Sequence, residues 1–356
     1  MKKRWIAFGI VSLSLVSILV ISFPYIRNVM FEQAMIKLVH QNQAERWKKD
    51  VLYIVTVGTG APHAEIGRTQ ACTAIIAGGD LFLFDAGDGN AVAAALQGLP
   101  LSSLKAIFVT HLHSDHVGGI GSVANTSFIF GRQNKLKVFG PRGTSELIDG
   151  FNQAFSADVG IRQIVGDAEG SLRNALPVAS EIQIKDDSYE MVLVYENAGG
   201  LKVYAFNVDH RPVVPAYGYR IEYRGRTVVI SGDTTKSNNL TRHAQGSDIL
   251  VCEAYSSHIM NKVFEVAKKL PGDPAMAIFR DHAARITGYH MSTLQAATTA
   301  VEAKTKHLVL THIAGISAGL VRTLITEPLY LKGISAIYKG PVDIAENGSI
   351  FPLSLK

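Results

Sequence analysis

The run Thr110-His111-Leu112-His113-Ser114-Asp115-His116 carries three imidazoles and a carboxylate within six positions, directly after the apolar stretch Ala106-Ile107-Phe108-Val109. Neutral imidazole and carboxylate are the donors that zinc and other first-row divalent ions take. So many of them on one turn would repel or stay unsatisfied without a cation. Three further apolar runs end in a residue of the same kind: Phe206-Asn207-Val208-Asp209 leads to His210, Val228-Val229-Ile230-Ser231-Gly232 to Asp233, and Leu308-Val309-Leu310-Thr311 to His312. Each residue alone reads as ordinary. Together His111, His113, Asp115, His116, His210, Asp233 and His312 supply the ligand number that two metal ions sharing a bridge require.

To meet, these residues must leave the same edge of a sheet, which is where open α/β sheets bind ligands. Hydrophobic patterning predicts strands at Val51–Val57, Thr73–Ala77, Leu81–Phe84, Ala106–Val109, Leu136–Phe139, Lys202–Val208, Tyr217–Tyr223, Thr227–Ile230, Ile249–Cys252 and His307–Leu310. Helices are expected at Ala91–Leu96, Thr144–Phe155 and Ser292–Ala303. Strands and helices alternate, but tight turns at Gly78-Gly79-Asp80 and Arg224-Gly225 also make hairpins. The fold class is therefore α/β with mixed sheets and helices on their outer faces. Ser156 to Gly200 is the least readable stretch and is expected to be an elaborated insert.

The chain has 356 residues, 47% hydrophobic and 18% charged, enough for a large core. Its net charge of +5 includes the cluster Lys2, Lys3 and Arg4, and the remainder leaves no basic footprint for nucleic acid. Cys72 and Cys252 stand in no C-x-x-C pair and read as buried free thiols. Trp5 to Phe23 is almost wholly apolar, preceded by the basic cluster and followed by Pro24. The expected organisation is thus a signal anchor or signal peptide over 1–24, a linker helix over 25–50 and a catalytic domain over 51–356. The positive flank predicts an N-terminus in the cytoplasm and the domain outside it, membrane-anchored through a transmembrane helix or secreted.

H-x-H-x-D-H, a distant His, Ser231-Gly232-Asp233-Thr234 and the final Thr311-His312 together resemble the metallo-β-lactamase superfamily. The likeness covers most of Val51 to Lys356 and is closest to its ribonuclease Z and arylsulfatase-like branch. Gly58-Thr59-Gly60 with Arg68, Asp85-Ala86-Gly87, Tyr217-Gly218-Tyr219-Arg220 and His290-Met291-Ser292-Thr293 support that branch. The resemblance implies an αββα sandwich with two divalent metal ions at one edge, zinc by default, with manganese or iron also compatible. One ion would take His111, His113 and His210, the other Asp115, His116 and His312, with Asp233 between them. It implies a hydrolase in which metal-activated hydroxide attacks an ester centre, Asp115 orients the nucleophile and His290 assists the leaving group. Asp85 and Glu253 are candidates to accept a free imidazole N–H. His63 and Arg68, on the loop after Gly60, are candidate substrate contacts, whereas His40, His243, His258, His282 and His307 match no motif position.

The substrate is less legible. His210 and Asp233 lie too close in sequence to enclose a tRNA-gripping arm, and Cys252 stands where ribonuclease Z typically has His. The expectation is a hydrolase of phosphate or sulfate esters acting on a small molecule outside the cytoplasm, with nucleic acid not expected as a partner and a homodimer open. The alternatives are a ribonuclease Z-type endonuclease or phosphodiesterase, a lactone or small-ester hydrolase, and a non-enzymatic metal-binding scaffold.

Overall fold

A computed structural model of the chain describes residues 22–36, 46–63, 65–166, 172–313 and 321–356. The chain divides into two units, Met1–Arg46 and Trp47–Lys356. In the first, residues 22–36 are helical and expose Phe23, Tyr25, Met30 and Phe31. The expected N-terminal transmembrane helix is corrected here. Residues 1–21, which hold most of the apolar run, lie outside the described residues, and among the described residues no helix is long and apolar enough to cross a membrane. The described helical residues 22–36 carry Arg27 and Glu32. The linker expected over 25–50 lies partly in residues 37–45, outside the described residues; Trp47 already belongs to the second unit, where its indole N–H donates to Gly98 O at 3.1 Å.

The second unit holds two seven-stranded sheets. One has the order β14-β1-β2-β3-β4-β5-β6, with β1 Val51–Gly58, β2 Cys72–Ala77, β3 Asp80–Phe84, β4 Leu104–Phe108, β5 Lys137–Gly140, β6 Val178–Glu181 and β14 Ser349–Ser354. The other has the order β13-β12-β11-β10-β9-β8-β7, with β7 Met191–Glu196, β8 Leu201–Asn207, β9 Tyr217–Tyr223, β10 Arg226–Ile230, β11 Ile249–Glu253, β12 Leu308–Thr311 and β13 Val342–Ile344.

The period of two along each strand sends alternate side chains to opposite layers. In β1, Leu52 and Ile54 enter the layer between the sheets, while Val55 and Val57 enter the outer layer. Phe82, Phe84 and Phe108 of the first sheet meet Val203, Tyr219 and Ile221 of the second in the inner layer. Each such aromatic side chain, fully buried, contributes about 2–3 kcal/mol of transfer free energy. The outer face of the first sheet is covered by α1 Asn90–Leu96, α3 Ile120–Ile129 and α4 Thr144–Val165, through Ala94, Val123 and Ile148; α2 is the single turn Ser114–Val117. Over the second sheet lie α5 Asn238–His243, α6 Ser257–Lys269, α7 Pro274–Tyr289 and α8 Thr293–Glu302, the last through Ala296, Ala297 and Ala300. A capping box between Ser292 and Gln295 starts α8. Helices thus cover the outer face of both sheets, the αββα sandwich that the family resemblance implied.

Ser156 to Gly200 is no detached insert. It continues α4 and then supplies β6 and β7, one edge strand for each sheet. In the second sheet β10, β11 and β12 are parallel, and β8 shares their direction because both it and β10 pair antiparallel with β9. Their carboxyl ends open on one edge.

Candidate metal centre

His111 follows β4, His210 follows β8, Asp233 follows β10, Glu253 ends β11 and His312 follows β12. Two ties hold the sheets together here: the Tyr219 hydroxyl, buried between them, donates to Val109 O at 2.6 Å, and Tyr217 N donates to Thr110 O at 2.9 Å. Two residues of this edge take left-handed backbone angles, Asp85 at φ 59° and His312 at φ 55°. Such conformations cost about 1–2 kcal/mol for a residue with a side chain and persist where the surroundings impose them. Gly232, at φ 59°, has no alternative, since a Cβ would sit 2.6 Å from Tyr217 O. Gly87 lets the Asp85 loop touch the histidine turn, where a Cβ would come within 2.0 Å of Asp115 O.

The seven expected ligands fall into two groups of donor atoms. His113 Nδ1 lies 2.9 Å from His111 Nε2 and 3.5 Å from His210 Nε2, while Asp233 Oδ2 is 3.9 and 4.0 Å from those two Nε2 atoms. His312 Nε2 lies 3.1 Å from Asp115 Oδ2 and 3.2 Å from His116 Nε2, and Asp233 Oδ2 is 3.5 and 3.3 Å from the two imidazoles. Asp233 is the member that reaches both groups. Two ligands on a tetrahedral zinc, each at about 2.0–2.1 Å, stand about 3.4 Å apart, which these separations match.

The tautomers make the case chemical. His210 Nδ1 faces the carbonyl of Tyr289 at 3.0 Å and must donate to it. His116 Nδ1 donates to Asp85 Oδ2 at 2.8 Å. The Thr110 hydroxyl gives its proton to Asp85 Oδ2 at 2.9 Å and so accepts from His111 Nδ1 at 3.0 Å. Three Nε2 atoms are thereby left as acceptors and aimed inward at further ring nitrogens and the Asp233 carboxylate, an arrangement that a cation satisfies. The donor set therefore fits divalent metal.

The electrostatics agree. Burial, reinforced by neighbouring imidazoles, holds His111 well below the ordinary histidine range and lowers His113 and His210, leaving them neutral and able to ligate. Burial also opposes charge on His116, but Asp233 and Asp85 outweigh it and carry His116 well above its ordinary value. Burial would raise Asp233, yet His312 and His116 hold it well below the carboxylate range. Asp115 is lowered too, because the hydrogen bond to His312 and the charge of His116 overcome burial. A field that favours a proton on His116 favours a cation beside it.

His290 stands at the rim. Its Nδ1 donates to Glu253 Oε2 at 2.8 Å and lies 3.8 Å from Asp233 Oδ2. Burial works against its charge, but Glu253 and then Asp233 raise it to about 9. Glu253 is fixed in turn by Thr234 N at 2.7 Å. The remaining candidates fall elsewhere. Arg68 braces its loop through Thr59 Oγ1 and Ala345 O and so is committed locally. His63 pairs with His282, Nε2 to Nε2 at 2.9 Å. His243 and His307 are satisfied by Tyr189 O and Asp343, and His40 lies outside the described residues. Both cysteines are free and buried. Two features escaped sequence reasoning: the Thr110 relay and Tyr289, whose ring lies against His210. The residue before His111 and the residue before His290 were the signals available.

Residues 81–313 match the family model described as beta-lactamase superfamily domain. The chain belongs to the metallo-β-lactamase superfamily and is a metal-dependent hydrolase of ester bonds, and the fold implies divalent metal ions. It is 33% identical over 273 residues to a protein named ribonuclease Z from Mycobacterium marinum, covering 76% of this chain and 89% of that one. It is 33% identical over 265 residues to a protein of the same name from Mycolicibacterium gilvum, covering 74% and 84%. Among solved structures, the short form of human tRNase Z superposes with a TM-score of 0.57 at 20% identity over 84% of this chain and 98% of that one, which speaks for the fold. Two expectations are overturned. Nucleic acid as an unlikely partner conflicts with relatives whose name makes them ribonucleases. Placement outside the cytoplasm, membrane-anchored or secreted, rested on the N-terminal span and loses that support, since no described helix crosses a membrane and the relatives are named ribonucleases.

Proposed function

We propose that this chain is a binuclear metal-dependent phosphodiesterase of the ribonuclease Z type, cutting RNA at a phosphodiester bond. The observation that carries the reading is the pair of donor groups sharing Asp233, with lone pairs aimed at two points. His111, His113 and His210 would hold one ion, Asp115, His116 and His312 the other, and Asp233 would bridge them, with zinc the best match to so many imidazoles. When bound, two such ions supply Lewis acidity that makes water a nucleophile near neutral pH and offsets charge on a phosphate. The chain does the rest. Asp115, ionised and anchored by His312 at 3.1 Å, orients the attacking oxygen. His290, held charged by Glu253, donates its Nε2 proton to the leaving oxygen. Asp85, Thr110 and the Tyr289 carbonyl keep the imidazoles turned inward.

The relatives' name favours RNA as substrate. A second reading, a small phosphate or sulfate ester, is favoured by one observation. Only the β9–β10 hairpin and its flanking turns separate His210 from Asp233, with no arm to grip a folded RNA. The test is hydrolysis by the full chain, loaded with zinc, of a 3′-extended tRNA precursor, bis(4-nitrophenyl) phosphate and 4-nitrophenyl sulfate. Cleavage of the precursor and the diester supports the proposal. Sulfate hydrolysis without diester cleavage defeats it. His290→Gln should lower kcat by about 10²–10⁴-fold with KM little changed.

A further inference from the structure

Tyr289 ends α7, and its main-chain carbonyl holds His210. Its side chain is half-buried, with the ring lying against the imidazoles of His210 and His290 at centroid distances of 5.3 and 4.6 Å. Its hydroxyl makes no hydrogen bond among the described residues. A packing aromatic would be covered, and a tyrosine with a purely structural hydroxyl would have a partner. Tyr289 is instead only partly covered, beside the candidate metal centre.

The same helix face continues the pattern. Arg285 lies four residues earlier and His282 seven, so both fall on the Tyr289 side of α7. Arg285 is exposed and makes no ion pair among the described residues, and its charge acts on the Tyr289 phenol. His282 is tied by His63 to the loop after β1, and Tyr289 is tied by His210 to the metal centre. The face is anchored at both ends and therefore preorganised.

We propose that α7 is the strand-gripping face of the enzyme: the nucleobase next to the scissile phosphate stacks on Tyr289, and the neighbouring phosphate pairs with Arg285. This deepens the phosphodiesterase reading and rests on it. An aromatic ring accepts any base because every base has a π-face, and a guanidinium one turn away meets phosphate through paired N–H groups. Such a face would serve single-stranded substrate where no arm exists between His210 and Asp233.

The test uses the full chain and two diesters with the same leaving group, thymidine 5′-(4-nitrophenyl) phosphate and methyl 4-nitrophenyl phosphate. The ratio of their kcat/KM values isolates the base, because any general loss of activity cancels. The wild type should favour the nucleoside by roughly 5–150-fold, the range of one base–aromatic stack. Tyr289→Ala, which keeps the carbonyl that holds His210, should bring the ratio near one, while Tyr289→Phe should keep it within about threefold. Arg285→Gln should leave the ratio intact and flatten the salt dependence of single-stranded RNA binding by about 0.7 in slope. A ratio that survives Tyr289→Ala, or collapses equally in Tyr289→Phe, overturns the stacking proposal while leaving the phosphodiesterase reading standing. Failure of the wild type to cleave either diester removes the functional reading and this inference with it.

Discussion

Asp85→Asn should weaken metal binding unequally at the two sites. The buried Asp85 carboxylate accepts three hydrogen bonds: from Thr110 N at 2.7 Å, from the Thr110 hydroxyl at 2.9 Å and from His116 Nδ1 at 2.8 Å. An amide of the same shape cannot accept all three. With its oxygen toward His116, its NH2 group meets the Thr110 N–H; flipped, the NH2 group meets the Nδ1–H of His116. A donor faces a donor either way, and His116 loses the negative charge that makes its Nε2 a stronger ligand. Partners of this kind are worth about 10–100-fold in metal affinity, or about 1.4–2.7 kcal/mol. The His111 group feels the change only through the Thr110 hydroxyl and should lose no more than a few-fold. Titrating zinc-loaded protein with a fluorescent chelator should show two tight ions in the wild type, and one tight and one weakened ion in the variant. Equal weakening of both ions, or no change, would refute the coupling of Asp85 to His116.

Three other outcomes follow from groups outside the proposed ligand set. Arg132 is fully buried and donates only to neutral acceptors, among them Ala124 O, Ala175 O and Ser127 Oγ, so Arg132→Met should strand several carbonyls and cost about 3 kcal/mol in a urea unfolding experiment. Asp248 accepts from Thr227 N and pairs with Lys306 and Arg226, and these partners overcome burial to lower its pKa. Its stabilisation is therefore present above the ordinary carboxylate pKa of about 3.9 and is lost as pH falls through the lower folded value. Asp248→Asn should accordingly shift the urea midpoint at pH 7 and converge with the wild type in acid. Burial raises both thiols well above the ordinary cysteine range, so neither should react with a disulfide reagent at pH 8 until the chain is unfolded, when two thiols should appear.

The candidate site was legible because its chemistry is local in sequence or stands at strand ends. Four proposed ligands share one turn, and His210, Asp233 and His312 each follow an apolar run that reads as a strand. The edges of the fold were not legible. β14 pairs with β1 across almost the whole chain, and its alternation is interrupted by Pro352, so neither propensity nor turn chemistry announces it. β6 and β7 are half-exposed edge strands; β6 is short and without a clear apolar face, and the continuous apolar run of β7 lacks the alternation that marks one. The exposed Ile161, Ile164 and Val165 blur the amphipathic pattern at the end of α4. Thr110 was hidden for another reason, since a threonine before a histidine carries no signal until Asp85 is placed beside both. The apolar start of the chain shows the opposite error: a hydropathy run invited a membrane reading that no described helix supports.

The central claim is best tested by anomalous X-ray diffraction from crystals of the full chain soaked in zinc, with data on both sides of the zinc edge. Two peaks about 3.5–4 Å apart, one within about 2.0–2.1 Å of nitrogens of His111, His113 and His210 and the other beside His116 and His312, with Asp233 between them, are the expected result. A single peak between Glu253 and His290, or none at this edge of the sandwich, would contradict it.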